Sequence, residues 1–168
     1  ELTQRVIQRL GSRAATTGHT LAAEIDPAVT LGYFDYVEID QVLANLVENA
    51  IKYTPADSSI VVQVAAIPEG LRFAVKDDGP GIPPTAREKV FEKFYRTGST
   101  RGLQGTGIGL TISRGLVEAH GGRIWVESPG YDEVNFPGSQ FHIILPLTKL
   151  ENGEVQRTSE PITIEFGK

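Results

Sequence analysis

The sequence contains no cysteine and no methionine, a single tryptophan and only three histidines. Without cysteine there can be no disulfide, no thiolate nucleophile and no cysteine-ligated metal site. His19, His120 and His142 lie far apart and show no metal-ligand spacing. No apolar run approaches the roughly 18 residues of a membrane span, and the amino terminus carries no signal-peptide pattern. Basic residues are also in deficit: 16 Lys and Arg stand against 21 Asp and Glu, a net charge of -5. That balance argues against a nucleic-acid partner, which needs a basic face. It leaves room for a nucleotide pocket, where local dipoles and a metal ion outweigh total charge. The chain opens on Glu1 and lacks methionine, so it reads as a piece of a longer protein, and any membrane or signal-sensing part would lie outside it.

What remains is one domain's worth of chain, 168 residues with 40% hydrophobic and 22% charged. It is long enough to bury a real core. Leu2, Val6, Ile7 and Leu10 predict a short amphipathic helix over 1–16, ended near Gly18. Leu21–Ile25 and Val29–Phe34 predict short strands around Asp26-Pro27, and Tyr36 or Ile39 to Tyr53 a strong helix stopped by Thr54-Pro55. Ile60–Ile67 and Leu71–Asp77 alternate as a hairpin. Pro83–Phe94 reads as a helix, and Tyr95–Gly109, with five glycines, as a loop. A helix over Ile108–His120 and strands over Arg123–Ser128 and Ser139–Leu147 follow, the two strands joined by a loop holding Pro129 and Pro137. The intervening Tyr131–Pro137 is longer than such a connection needs, and no role is assigned to it. The tail from Thr148 is polar and reads as loose, with Ile162–Phe166 as an edge strand. The sum is an α/β two-layer sandwich, three main helices on one face of a mixed, mostly antiparallel sheet.

On the Ile39–Tyr53 helix, Ile39, Val42, Leu43, Leu46, Val47, Ala50 and Ile51 form one apolar stripe. Asn45, Glu48, Asn49 and Lys52 share another face. A solvated face is the plain reading, yet asparagine is a mediocre helix former and two of them one turn apart ask for a reason. Mg²⁺ wants oxygen ligands and keeps part of its water shell. Two carboxamides can hold it against a triphosphate without adding negative charge, with Lys52 facing phosphate and Tyr53 packing near a base.

Asp77-Asp78-Gly79-Pro80-Gly81-Ile82 runs off a strand into a tight turn. An ordinary strand connection would look similar. A carboxylate at Asp77 would also accept from the amino group of adenine and repel the carbonyl of guanine. Gly79 and Gly81 would let a flat base approach the backbone. Gly105-Thr106-Gly107-Ile108-Gly109-Leu110 leads into a helix, whose free N–H groups and dipole suit phosphate. A flexible loop is the alternative, since neither the Walker spacing nor the dinucleotide fingerprint is present. Phe91 and Phe94, three apart, read as core anchors below a lid spanning Thr97–Gln104. Arg96 can reach a γ-phosphate, and Arg101 reads as solvated.

In this order, the motifs resemble the catalytic, ATP-binding domain of sensor histidine kinases. Asn45 to Pro55 is similar to that family's N box, Asp77 to Ile82 to its first glycine box, Phe91 to Arg96 to its F box and Gly105 to Leu110 to its second glycine box. The resemblance runs from about Leu21 to Leu147. It implies a Bergerat-type sandwich, shared with gyrase, the ninety-kilodalton heat-shock chaperones and the mismatch-repair ATPases. It implies ATP and Mg²⁺ as cofactors. Mg²⁺ would sit at Asn49 with help from Asn45, and Lys52 and Arg96 would lie near the phosphates. Tyr53 would sit by the adenine and Asp77 on its amino group. Ile82, Gly79, Gly81, Gly105, Thr106, Gly107, Gly109 and Leu110 would form the walls, with Ser139 supporting Asp77 through water.

Where the ATPase branch places a water-activating glutamate, this chain has Asn45, which cannot act as a base. The resemblance therefore implies transfer of the γ-phosphate to a protein histidine, with Glu48 as a minor candidate for a catalytic role. None of the three histidines stands in a phosphoacceptor context. The acceptor is then expected on a separate dimerisation domain of the same parent, with a response regulator downstream. Residues 1–18 are expected to end the linker from that domain, 19–148 to form the catalytic domain and 149–168 a tail. The fragment is expected to be cytoplasmic and mostly monomeric. An anti-sigma-factor-like serine kinase and a non-catalytic ATP-sensing or docking module are the alternatives.

Overall fold

The computed structural model describes residues 1–29, 34–96, 106–146, 148–151 and 154–157, the last two segments by backbone alone. Helix α1 spans Leu2–Thr16, α2 Tyr36–Tyr53 and α3 Gly109–Ala119. Strands β1 (Thr20–Ile25), β2 (Ser59–Ile67), β3 (Gly70–Asp77), β4 (Arg123–Glu127) and β5 (Ser139–Leu145) form one sheet in the order β1-β2-β3-β5-β4. The β1–β2 pair is parallel, with α2 as its crossover, and the other pairs are antiparallel. A two-stranded ribbon, β6 (Thr148–Glu151) and β7 (Glu154–Arg157), occupies part of the tail that the composition suggested was loose.

Register explains the core. Val62, Val75, Phe141 and Val126 face each other across four strands, and Val64, Phe73, Ile143 and Ile124 form the next row. All eight belong to the buried core. Against them lies the α2 stripe read from the sequence: Ile39, Val42, Leu43, Leu46, Val47, Ala50 and Ile51 are all buried. The Asp35 side chain accepts from the N–H groups of Val37 and Glu38 and starts the helix. Thr54, extended before Pro55, ends it.

Helix α1 packs onto the domain: Leu2, Val6, Leu10 and Ala14 are buried in the same core, and Arg9 pairs with Asp40 of α2 at 2.6 Å. Other expectations change. Pro83–Phe94 is not a helix but two 3₁₀ turns, Pro84–Ala86 and Lys89–Phe91. Glu92 is extended and Phe94 takes φ +62°, neither of which a helix allows. Phe91 does anchor the core, whereas Phe94 is 73% exposed. Val29 and Phe34 lie outside any strand, and the residues between them, like Thr97–Gly105, Leu147 and Ile162–Phe166, fall outside the described residues. No helix among the described residues is long and apolar enough to cross a membrane.

Candidate nucleotide site

Strand parity delivers the key side chain. Phe73, Val75 and Asp77 point to the same, helix-covered face of β3, so its last inward position is a carboxylate. Asp77 is only 6% exposed. Its Oδ1 accepts from Gly79 N–H at 2.9 Å, and its Oδ2 accepts from Ser139 Oγ at 2.6 Å. The serine acts directly, without the bridging water expected from the sequence, because Asp77 and Ser139 are register partners across β3–β5. Burial is the largest influence on this carboxyl and holds its pKa above the ordinary value, with the Ser139 and Gly79 hydrogen bonds opposing. Each oxygen keeps acceptor capacity for a ligand donor.

Asp77 opens on a cavity of about 220 Å³. Asn49 and Tyr53 from α2, Ile82 and Gly81 from the glycine turn, Arg96, and Leu110 from α3 line it, with Ser139 and Phe141 from β5. The Asp77 carboxylate thus marks one wall, while a carboxamide, an arginine and the amino end of α3 mark others. The first turn of α3 carries no acidic side chain, which leaves its positive potential uncancelled. Phe91 sits between Phe141, edge-on at 6.1 Å, and the Arg114 guanidinium at 4.2 Å. Thr111 Oγ1 donates to Phe91 O at 2.8 Å, so the amino-terminal half of α3 is fastened to the turn below the cavity.

Not every residue read from the sequence reaches the cavity. Asn45 donates from Nδ2 to Ser113 Oγ at 2.8 Å, and a Cβ on Gly109 would lie 2.4 Å from its Oδ1. It clamps α2 to α3 and is absent from the lining. Lys52 donates to its neighbour's Tyr53 hydroxyl at 3.0 Å, outside the lining. Glu48 faces α1, 3.6 Å from Arg13, which gives no support to a catalytic role at the cavity. Gly79, Thr106, Gly107 and Gly109 do not line it either, and of these Gly107 takes φ +70°. Gly105 and Arg101 lie outside the described residues.

The sequence reading missed Ser128, Tyr131 and Glu133. Ser128 Oγ accepts from Ile82 N–H at 2.9 Å and faces the carbonyls of Gly130 and Gly138 at 2.9 and 2.8 Å. It binds the glycine turn to the unexplained Tyr131–Pro137 stretch, whose Tyr131 and Glu133 line the cavity. The available signal was the pair of turn formers Asp132 and Asn135.

The three histidines all have structural partners. His19 bonds Thr17 Oγ1 at 2.8 Å. His120 Nδ1 lies 2.8 Å from Leu116 O while its Nε2 accepts from Asp35 N–H at 3.1 Å. His142 stacks on Trp125 with ring centroids 4.8 Å apart.

This sheet, the helices on its one face and a carboxylate-floored cavity are a nucleotide-binding arrangement, and comparison with known proteins places it. Residues 34–149 match the family described as histidine kinase-, DNA gyrase B-, and HSP90-like ATPases, and the chain belongs to that family. The adaptive-response sensory kinase SasA of Trichormus variabilis is 36% identical over 143 residues, covering 84% of this chain and 34% of that protein. The solved mycobacterial sensor histidine kinase MprB superposes with a TM-score of 0.75 at 31% identity, covering 87% of this chain and 93% of that one. Full-length ShkA in complex with AMPPNP gives 0.77 at 28% identity, covering 91% and 31%. The chain spans about a third of the length of the curated sensory kinase it matches. The chain is therefore an ATP-binding domain of the kind found in sensor histidine kinases.

Proposed function

We propose that this domain holds Mg²⁺–ATP and passes the γ-phosphoryl group to a histidine on a separate dimerisation domain of its parent protein, a response regulator being the downstream partner. The observation that carries the proposal is Asn45. Where the resemblance puts the water-activating glutamate of the ATPase branch, this chain has a carboxamide, which is bonded to Ser113 and cannot act as a base. ATP held there waits for another nucleophile. Asp77 takes the adenine amino group, and Ile82, Leu110 and Phe141 supply apolar walls for the base. Arg96 and the amino end of α3 lie where phosphate charge can be met.

No cluster of three or more His, Asp or Glu side chains among the described residues could cage a cation alone. A neutral oxygen donor in the cavity, Asn49, suits a hard ion that shares its other ligands with phosphate and water. Mg²⁺ would supply charge neutralisation on the triphosphate. The chain's own part is to orient ATP so that the bond between the γ-phosphorus and its bridging oxygen breaks as the acceptor nitrogen attacks. The bond electrons then leave with ADP.

The test is calorimetry with ATP and GTP, with and without Mg²⁺, followed by phosphotransfer to a supplied histidine-helix domain. We expect preference for ATP, dependence on metal, transfer in trans and negligible hydrolysis. Equal GTP binding would sink the adenine assignment, and fast hydrolysis by the isolated domain would sink the transfer reading. Tight ATP binding with no transfer would point to an ATP-sensing module.

A further inference from the structure

We infer that Tyr131 and Glu133 form a ribose-reading wall of the nucleotide cavity, with the Glu133 carboxylate accepting a sugar hydroxyl. This deepens the ATP reading above and rests on it.

The segment is built against the base end of the site. Tyr131 pairs with Gly81 as an isolated antiparallel bridge, Asp132 N–H donates to Pro80 O at 2.8 Å, and Gly138 N–H donates to Gly79 O at 2.9 Å. Gly81 has φ +79°, and a Cβ there would lie 2.0 Å from Gly130 O, so the two backbones are in close contact. Asp132 Oδ1 accepts from the N–H groups of Val134 and Asn135 at 2.8 and 3.0 Å and fixes the turn that follows. The extra residues are thus an added edge laid along the glycine turn.

That edge presents two side chains to the cavity, and they are coupled. The Tyr131 hydroxyl donates to Glu133 Oε1, which holds the carboxylate beside the ring. A carboxylate only accepts hydrogen bonds and repels phosphate. A nucleoside offers few donors. The adenine amino group is met by Asp77, which leaves the 2′ and 3′ hydroxyls of the ribose. The Tyr131 ring adds apolar surface beside them, and the negative charge directs the triphosphate toward Asn49 and Arg96 instead.

The experiment measures dissociation constants for ATP, 2′-deoxy-ATP, 3′-deoxy-ATP and GTP with the native chain, Glu133→Ala and Tyr131→Phe. A hydrogen bond to a charged acceptor predicts that the native chain binds ATP about tenfold or more tightly than at least one deoxy analogue. In Glu133→Ala that ratio should fall to within about twofold of unity, while the preference for ATP over GTP persists. Tyr131→Phe keeps the ring, frees the carboxylate, and should reduce the ratio by less. Equal native affinity for ATP and both deoxy analogues, or a ratio undiminished in Glu133→Ala, would overturn the ribose assignment and leave the adenine site standing. Failure of the native chain to prefer ATP over GTP would overturn the underlying adenine reading, and this one with it.

Discussion

Across the β3–β5 pairing, Ser139 Oγ donates to Asp77 Oδ2 at 2.6 Å. The carboxylate that ends one strand is held by the residue that begins another, on the face the helices cover. A buried acid kept in place by one hydroxyl and one backbone N–H is a cost to the empty fold, which the adenine contact we propose would offset.

That cost predicts opposite effects of Asp77→Asn on binding and stability. The amide keeps the shape but offers a donor where adenine also donates, so ATP affinity should fall about tenfold to a hundredfold. Folding raises this carboxyl's pKa, so between 3.8 and its folded value the native state binds more protons than the unfolded chain. Stability is lost as pH rises through that window, and at neutral pH the buried charge is a standing penalty. The variant should therefore gain on the order of 1 kcal/mol, about 2–4 °C in melting temperature. Calorimetry with ATP and thermal unfolding without it check the two halves.

Ser139→Ala tests the same pair by pH. The serine hydrogen bond lowers the Asp77 pKa against the effect of burial, so its removal should raise that pKa further. On the proposed adenine contact, binding needs the ionised carboxylate. ATP affinity should then decline at a higher pH in Ser139→Ala than in the native chain when titrated downward from neutral. Superimposable profiles would mean that the hydroxyl does not tune the acid.

Much of this site was readable because its residues sit on strongly periodic elements. The Ile39–Ile51 stripe marked the face of α2 that is buried, and Leu71–Asp77 alternated as the strand on which the structure turns Phe73, Val75 and Asp77 inward. Side-chain direction along a face was harder to read. Asn45, Glu48 and Lys52 share a face with Asn49, but Ser113, Arg13 and Tyr53 draw them elsewhere, and those partners come from other elements or local competition. The membership of α1 in the core was hidden for the same reason: an amphipathic stripe does not say what covers it. Pro83–Phe94 misled because apolar spacing near three residues fits 3₁₀ turns as well as a helix.

His120 links the ends of two helices, its Nε2 accepting from Asp35 N–H while Nδ1 faces Leu116 O. His120→Ala removes the acceptor of Asp35 N–H, while Leu116 O keeps the backbone N–H of residue 120 as its donor, and should cost about 1 kcal/mol in urea unfolding. Lying outside the cavity lining, it should leave ATP affinity within about twofold of native at temperatures where the domain is folded.

His142 lies on the sheet face away from the helices, against Trp125, with Glu127 Oε2 at 3.5 Å. Burial is the main influence on it and, with Arg72, lowers its pKa below 6.5, while Glu127 pulls the other way. With the folded pKa depressed, the unfolded chain binds more protons in the window below 6.5, so stability is lost as pH falls through it. His142→Phe keeps the stacked ring and removes the titration. Urea midpoints at pH 8 and pH 5.5 should differ less in the variant than in the native chain.

Two glycines should respond to the same substitution with opposite signs. Gly81→Ala forces an alanine to φ +79° and sets its methyl 2.0 Å from Gly130 O and 2.8 Å from Ser128 Oγ. The left-handed backbone alone costs about 1 kcal/mol, and backbone must also move to relieve the first contact. We expect a loss of about 3 kcal/mol or more, and at least tenfold weaker ATP binding as the glycine turn parts from Tyr131. Gly115, inside α3, has nothing within 4 Å of where its Cβ would stand. Gly115→Ala should stabilise by about 0.5–1 kcal/mol through the lower entropy of the unfolded chain. Paired urea denaturations read both signs. A Gly81→Ala variant as stable as the native chain would mean that the glycine turn and the Tyr131 edge are not in close contact.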